Sequence, residues 1–196
     1  MKIIGITGGV GSGKSEVIRY LERRENVQVL LADEAGHLLM KKGNSCYQPV
    51  LKLFGDKAMK SDGELDRQAI AAVVYQDESA LKKLNGIIHP AVRVYIESQI
   101  EKAREDRKAY FFLEAALLLE EHYDEICDEV WYIYAREDIR RERLMKSRNY
   151  TMEKIGQIMA NQLSEQEFAR RCDAVIDNSG DFEKTKREIE NRMSLL

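Results

Sequence analysis

The amino-terminal part of the chain alternates short aliphatic runs with an amphipathic segment. Lys2–Thr7 is a mostly branched apolar run that ends in glycines, which is typical of a buried parallel strand. From Gly13 to Arg24 the aliphatic residues fall on one face, which predicts a helix. Val27 to Ala32 predicts a second strand with Asp33 at its end. A strand, a helix and a strand joined by short connections form a βαβ unit and indicate a parallel sheet.

The rest of the chain places two helical segments between further strands. Apolar residues at i, i+3 and i+4 predict helices from about residue 34 to 107, with a polar interruption at 60–63. Shorter apolar runs predict strands at 109–113, 130–134 and 173–177. A charged helical segment is predicted at 136–168 and a closing helix at 182–196. One sheet therefore has two helical insertions, which are typical of a core with a substrate-binding domain and a mobile lid.

A glycine-rich segment follows the first strand and opens the first helix, and it satisfies the pattern G-x-x-x-x-G-K-[ST]. Glycines let successive backbone N–H groups converge on an anion, and the helix N-terminus adds positive charge. Lys14 is expected to reach the β- and γ-phosphates of ATP, Ser15 to bind Mg²⁺ through its hydroxyl, and the backbone of Glu16 to lie near the α-phosphate. The predicted ATP-binding residues of this loop are Gly8, Gly9, Val10, Gly11, Ser12, Gly13, Lys14, Ser15 and Glu16.

Asp33 allows two interpretations. The carboxyl ends of parallel strands border the ligand crevice, so a carboxylate there can deprotonate an attacking hydroxyl. Asp is also a preferred N-cap, and Asp33 could simply cap a helix that starts near Glu34. Its position alone does not decide between them.

Basic residues crowd the segment after the fourth predicted strand. Guanidinium groups suit the charge of a transferring phosphoryl group, and a lid helix could bring them to the site. The alternative is a solvated helix face paired with neighbouring acids. We expect one or two of these residues to act on phosphate, and the set is Arg136, Arg140, Arg141, Arg143, Lys146 and Arg148.

The overall composition narrows the possible partners and the compartment. A net charge of −3 does not mark a nucleic-acid or membrane-surface binder, so anion binding must come from local clusters. Three cysteines far apart, without zinc spacing, indicate free thiols and a reducing compartment. No apolar run approaches the ~18 residues of a membrane span. We expect a cytoplasmic protein, and the sequence implies no protein partner.

The order of the motifs resembles the dephospho-CoA kinase family over nearly the whole chain. The matching landmarks are Gly5 to Ser15, Ala32-Asp33, Leu65-Asp66-Arg67, Leu84 to Pro90 with Arg93, Leu117 to Glu120, Cys127-Asp128, Arg143-Leu144, Gln162 and Asp173 to Gly180. The chain departs from the family pattern at Ala116 and Leu119, where Pro and Phe are usual, and at Ser147, where a second lid arginine is common.

The resemblance implies a fold, a reaction and a set of site residues. The fold would be α/β, a P-loop NTPase-type parallel sheet flanked by helices. Its core would comprise 1–33, 108–135 and 169–196, with a helical substrate domain at 34–107 and a lid at 136–168. The reaction would be phosphorylation of the ribose 3′-hydroxyl of dephospho-CoA by MgATP, the last step of coenzyme A synthesis.

The same resemblance implies a role for each residue of the site. Asp33 would be the base, Lys14, Arg140, Arg143 and Arg148 would act on the phosphates, and Asn178 would lie beside the nucleotide base. The implied substrate-binding residues are Asp33, Arg67, His89, Arg93 and Glu120. Without the resemblance, His89 before Pro90 would be interpreted as a helix-end cap and Glu120 as a surface acid.

Three alternatives remain at this level. A GTPase would use Asp177 to Gly180 as D-x-x-G, but no N-K-x-D follows to select guanine. A P-loop kinase of another small hydroxyl metabolite or nucleotide has the same loop, because the loop does not name the acceptor. A nucleotide-binding regulator without turnover would not need a base at Asp33.

Overall fold

The computed structural model describes residues 1–196, and its secondary structure follows the predicted alternation. The strands are β1 (Lys2–Thr7), β2 (Val27–Leu31), β3 (Tyr110–Glu114), β4 (Glu129–Tyr134) and β5 (Ala174–Asp177). The helices are α1 (Lys14–Leu21), α2 (Ala32–Leu39), α3 (Tyr47–Phe54), α4 (Arg67–Gln76), α5 (Glu78–Glu105), α6 (Glu137–Arg148), α7 (Met152–Ala160), α8 (Glu165–Arg171) and α9 (Phe182–Ser194). Two 3₁₀ turns lie at Asp56–Ala58 and Tyr123–Ile126.

The five strands form one sheet in the order β2-β3-β1-β4-β5. β1 is central and pairs in parallel with β3 and β4, so that Ile4 lies beside Phe112 on one side and Glu129 on the other. A strand covered on both faces should be apolar throughout, and Ile4 and Ile6 are fully buried together with Phe112 and Trp131. The predicted α/β fold with a parallel sheet and flanking helices is confirmed.

Two acidic landmarks of the sequence have structural partners at the starts of strands. The Asp128 carboxylate accepts a hydrogen bond from the Ile3 backbone N–H at 2.7 Å, and the Asp173 carboxylate accepts one from Val130 N at 2.8 Å. Each acid therefore satisfies a backbone donor of a central strand, and the two together fix the ends of β1 and β4.

The structure corrects the details of the first βαβ unit. The helix expected from Gly13 to Arg24 begins at Lys14, because Gly13 has a left-handed φ of 90°, and it ends at Leu21. The strand expected to reach Ala32 ends at Leu31, and Ala32 begins α2. The N-cap of α2 is Leu31, so Asp33 lies in the first helical turn and the interpretation of Asp33 as the cap is wrong.

His89 does not cap a helix end either. α5 runs for 28 residues through Pro90, so His89 lies inside the helix. A proline inside a helix removes the hydrogen bond to the carbonyl four residues before it and crowds that carbonyl, which here belongs to Gly86. The hydrophobic residues of α5 outweigh this defect, with Val92, Ile96 and Ile100 buried.

The charged segment 136–168 contains α6, α7 and the first half of α8 rather than one long helix. Asn149 ends α6 with a left-handed φ of 51°, and Thr151 and Ser164 cap α7 and α8 with their side chains. The end of the segment packs on the sheet, because the Phe168 ring stacks on Tyr132 of β4 with centroids 4.8 Å apart.

The chain divides into two compact units. The first comprises Met1–Leu30 and Ala103–Leu196 and contains most of the sheet with α1 and α6 to α9. The second, Leu31–Lys102, is helical; in it, a Cβ on Gly36 of α2 would touch Ile88 of α5 at 3.5 Å. The functions assigned above to 34–107 and 136–168 stay predictions.

No helix combines the length and the apolar character needed to cross a membrane. All three cysteines are free, and burial raises the pKa of Cys127 and of Cys172 to about 12. Both of these thiols are therefore protonated near neutral pH.

Candidate active site

The phosphate loop connects β1 to α1 and depends on glycine at its last turn. Gly13 has a φ of 90°, a conformation that side chains disfavour, and a Cβ there would collide with the Nδ2 atom of Asn178. Gly8 is equally restricted, because its Cβ would collide with the carbonyl oxygen of Ile133 in β4. The loop is thus folded tightly against its neighbours at both ends.

Lys14 and Ser15 occupy the first turn of α1, where the unpaired N–H groups of a helix face an anion. Lys14 Nζ donates to the Gly8 carbonyl at 2.7 Å and so lies across the loop. Ser15 is exposed, and Glu16 follows it in the same turn. The three residues therefore present an ammonium group, a hydroxyl and helix N–H groups on one short segment.

Ser12 is held by a buried amide. Asn178, which follows β5 and is fully buried, donates from Nδ2 to the Ser12 carbonyl at 2.9 Å. Its own Oδ1 accepts from Thr185 Oγ1 at 3.1 Å, so the amide orientation is fixed. The structure thus shows Asn178 in contact with the loop backbone, and its position beside a nucleotide base stays a prediction.

Two of the predicted arginines reach the loop. Arg140 donates from Nε to the Val10 carbonyl at 2.9 Å, and only 9% of its side chain is exposed. Arg143 donates to the Ser12 carbonyl at 3.2 Å and to the Asn178 carbonyl at 2.9 Å. Both lie on α6, three residues apart, so they project from one helix face onto successive parts of the loop.

The other basic residues predicted in this segment have different surroundings, and Lys146 pairs with Glu142. Arg136 is exposed and pairs with Asp138 at 3.2 Å, and Arg141 pairs with Glu137. Arg148 lies at the helix end with its guanidinium 5.9 Å from the centre of the Tyr150 ring. Ser147, where a second lid arginine is common, donates to the Arg143 carbonyl within the helix at 2.7 Å. The structure brings Arg140 and Arg143 to the loop and shows no such contact for Arg148.

One residue that contacts the phosphate loop was a landmark of the family resemblance but had no predicted role. Gln162, between α7 and α8, accepts from the Val10 backbone N–H at 2.9 Å and from Arg140 NH2 at 3.3 Å. The sequence separation from Val10 is 152 residues, so no spacing pattern could connect them. The only signal was its place among the ordered landmarks.

In the helical unit, Arg67 and His37 form a pair. Arg67 is the first residue of α4, whose N-cap Asp66 accepts from the N–H groups of Gln68 and Ala69. Its guanidinium hydrogen-bonds the Nε2 atom of His37 in α2. Partial burial, and then the Arg67 charge, lower the pKa of His37 below its usual value. Arg67 is thus held by a neutral imidazole near neutral pH rather than by a carboxylate.

The remaining predicted residues are spread over both units. Asp33 and Glu34 are exposed in the first turn of α2. His89 and Arg93 lie four residues apart on α5, and Arg93 is 3.6 Å from Glu97 one turn further on. Glu120 is exposed in the turn between β3 and β4 of the sheet unit.

The donor set of the loop suits magnesium. Mg²⁺ prefers oxygen ligands and is commonly held by one or two protein oxygens together with the phosphates of the substrate. The Ser15 hydroxyl supplies such an oxygen, is exposed, and lies in the first turn of the helix that follows the glycine-rich loop.

A parallel sheet whose central strand leads into this loop and helix defines a P-loop fold of the kinase type. A shikimate kinase structure from Acinetobacter baumannii has the same fold, with a TM-score of 0.52 and 12% identity over 99% of this chain and 94% of that one. The family model for dephospho-CoA kinase matches residues 2–184. The chain belongs to the dephospho-CoA kinase family, as the landmarks predicted.

Individual relatives agree with the family assignment. A dephospho-CoA kinase of Geobacter sulfurreducens is 36% identical over 190 residues, which cover 97% of this chain and 96% of the relative. One of Symbiobacterium thermophilum is 35% identical over 190 residues, 97% of this chain and 79% of the relative. A solved structure from Thermus thermophilus has a TM-score of 0.83 and 28% identity over 100% of this chain and 97% of that one.

Proposed function

We propose that this protein transfers the γ-phosphoryl group of ATP to dephospho-CoA, and that the acceptor is the ribose 3′-hydroxyl. The observation that carries the proposal is the phosphate loop, with Lys14 lying across it, in a chain that the dephospho-CoA kinase model matches almost throughout. Family membership favours this reaction over a GTPase or a regulator without turnover.

ATP binding follows from the loop and its neighbours. The N–H groups at the start of α1 and the ammonium of Lys14 stabilise the β- and γ-phosphates. Arg140 and Arg143 place two positive charges against the loop carbonyls, which raises the electrostatic potential where the anion binds. Mg²⁺, held by Ser15 and the phosphates, would neutralise further charge.

The acceptor hydroxyl needs a base, and we assign that role to Asp33. It follows β2 by two residues, and in parallel sheets the carboxyl ends of strands border the ligand site. The Asp33 carboxylate takes the proton of the 3′-hydroxyl while the 3′-oxygen forms the bond to the γ-phosphorus. The bond from that phosphorus to the β,γ-bridging oxygen breaks, and ADP leaves with the electron pair.

The acceptor carries a negatively charged diphosphate, so basic side chains and hydrogen-bond donors should hold it. We assign Arg67, His89 and Arg93 to this task, because all three lie in the helical unit and two of them share one face of α5. Glu120 and Arg148 are carried over from the family resemblance without a contact in support. We also expect a cytoplasmic location, where free thiols persist.

The proposal is tested by offering the purified protein a panel of acceptors with MgATP. We expect ADP release with dephospho-CoA and a product one phosphoryl group heavier at the 3′-position, identified by mass spectrometry and phosphorus NMR. Pantetheine, nucleosides, sugars and shikimate are the comparison acceptors. Faster turnover with one of these, or phosphate release without any acceptor, would refute the assignment.

A further inference from the structure

A single oxygen atom connects the phosphate loop to the segment between α7 and α8. The Oε1 atom of Gln162 accepts both from the Val10 N–H and from the guanidinium of Arg140. Arg140 in turn donates from Nε to the carbonyl oxygen of the same Val10. Gln162, Arg140 and the backbone of Val10 therefore form a closed ring of three hydrogen bonds.

The surroundings of this ring strengthen its hydrogen bonds. Arg140 is buried within the sheet unit, and Glu165 of α8 provides a carboxylate 3.8 Å from its guanidinium. Hydrogen bonds from a charged donor are stronger than neutral ones, and low solvent exposure strengthens them further. An unsatisfied Val10 N–H in this partly buried place would also be unfavourable.

Val10 lies at a position of the loop where an external brace restricts a flexible backbone. Gly9 and Gly11 flank it, and glycines lose more conformational freedom on ordering than other residues. A Cβ on Gly9 would collide with the Arg140 guanidinium, and one on Gly11 would lie 2.8 Å from the Arg140 carbonyl. The brace and the glycine positions therefore depend on each other, and both orient the peptide groups that precede the phosphate-binding turn.

We propose that Gln162 is a positioning residue that holds the phosphate loop in its anion-binding shape through Val10 and Arg140. In this role it acts through its contacts with Val10 and Arg140. It lowers the cost of ordering the loop when ATP binds, so its effect appears in ATP affinity more than in the rate of the chemical step. The inference rests on the proposed function only in taking ATP as the ligand.

The test compares Gln162→Leu with Gln162→Glu and with Gln157→Leu. Leucine cannot accept a hydrogen bond, whereas a carboxylate oxygen can replace Oε1 in both contacts. Gln157 is an exposed glutamine of α7 outside the ring. We expect Gln162→Leu to raise the Kd and the KM for ATP about tenfold, because it removes the acceptor of two hydrogen bonds, with kcat changed less. Gln157→Leu should stay within about threefold of the native affinity, and Gln162→Glu should lose less affinity than Gln162→Leu, because it keeps both acceptor contacts but adds a negative charge beside Arg140.

Hydrogen exchange of the peptide that contains Val10 gives a second readout, independent of turnover. We expect faster exchange at Val10 in Gln162→Leu, and native exchange in Gln162→Glu. Native ATP affinity in Gln162→Leu, or equal losses in the Leu and Glu variants, would overturn the inference. A global loss of protection in Gln162→Leu with native affinity in the folded fraction would also overturn it. Calorimetric measurement of ATP binding requires no acceptor. The effect of the Gln162 variants on ATP affinity can therefore be measured even if the protein does not phosphorylate dephospho-CoA.

Discussion

Asp33 and Glu34 are neighbouring exposed acids in the first turn of α2, and they make a matched pair for testing the base. Asp33→Asn preserves size but cannot accept a proton, so we expect kcat to fall by roughly 10²–10⁴-fold at saturating substrates. The Kd for ATP should stay near native, because the loop holds the phosphates. Glu34→Gln removes the same charge one residue away and should leave kcat within about threefold.

A fall of less than about tenfold in Asp33→Asn would contradict its role as the base. An equal fall in both variants would contradict it as well, because the effect would then come from the charge of the turn. Steady-state rates of the two variants at several substrate concentrations, with calorimetric ATP binding, separate these cases.

The contact between Arg67 and His37 predicts how the pKa of His37 and the stability of the protein depend on Arg67. Burial and the Arg67 charge lower the pKa of His37, so the folded protein binds fewer protons there than the unfolded chain. The free energy of unfolding should therefore decrease as the pH falls through about 6.5, the usual histidine value. Arg67→Met removes one of the two causes, so we expect the His37 pKa to rise and this loss of stability to become smaller.

Proton NMR titration of the His37 ring measures the pKa, and denaturant unfolding at a series of pH values measures the stability. Arg93→Met is the control, since Arg93 pairs with Glu97. An unchanged His37 pKa in Arg67→Met would show that the contact does not persist in solution.

At the scale of the element, the phosphate loop depends on backbone conformation as much as on side chains. Gly13 and Gly43 share a φ of 90°, but a Cβ would collide with Asn178 at Gly13 and would meet nothing within 4 Å at Gly43. We expect Gly43→Ala to cost only the strain of a left-handed alanine, roughly 1–2 kcal/mol of unfolding free energy. Gly13→Ala should cost more and should weaken ATP binding at least tenfold, because it displaces the Ser12 carbonyl from Asn178.

Chemical denaturation and calorimetric ATP titration of the two variants measure both effects. The stability difference between them isolates the collision, because the φ angle is the same. Equal destabilisation with unchanged ATP affinity would show that the loop tolerates a side chain at Gly13.

The sequence was sufficient for the elements but less so for their ends. Hydrophobic periodicity located every strand to within about two residues, since buried parallel strands are continuous apolar runs. The interpretations of Asp33 and His89 as helix caps were wrong, because the backbone becomes helical at Ala32 directly after β2 and because α5 continues through Pro90. Local preferences for caps and breaks were overridden at these two places by the packing of apolar helix faces.

At the scale of the whole molecule, the G-x-x-x-x-G-K-S pattern predicted the phosphate site, but the sequence could not predict what braces it. Asn178, Arg143 and Gln162 contact the loop across sequence separations of 131 to 166 residues. Such contacts depend on which strands are neighbours in the sheet, and periodicity carries no information about that order. The ordered landmarks of the family marked these residues without giving the atoms through which they act.

The division into Leu31–Lys102 and the remainder of the chain predicts where each substrate changes the dynamics. The phosphate loop, Arg140 and Arg143 belong to the sheet unit, whereas Arg67, His89 and Arg93 belong to the helical unit. We expect a non-hydrolysable ATP analogue alone to slow hydrogen exchange at residues 8–16 and across 136–168, because binding orders the loop and the helices that contact it. Dephospho-CoA alone should slow exchange within Leu31–Lys102, which contains the residues proposed to bind its diphosphate.

Hydrogen-exchange mass spectrometry on the apo protein and on each single complex makes this comparison. Lys14→Ala is the control for the first effect, because it should remove the protection by the ATP analogue while leaving that by dephospho-CoA. Arg67→Met with Arg93→Met is the control for the second, with the opposite expectation. Unchanged exchange at 136–168 in the ATP-analogue complex would contradict the lid assignment. Protection by dephospho-CoA only outside Leu31–Lys102 would contradict the assignment of the acceptor site, since the proposed contacts would then be elsewhere.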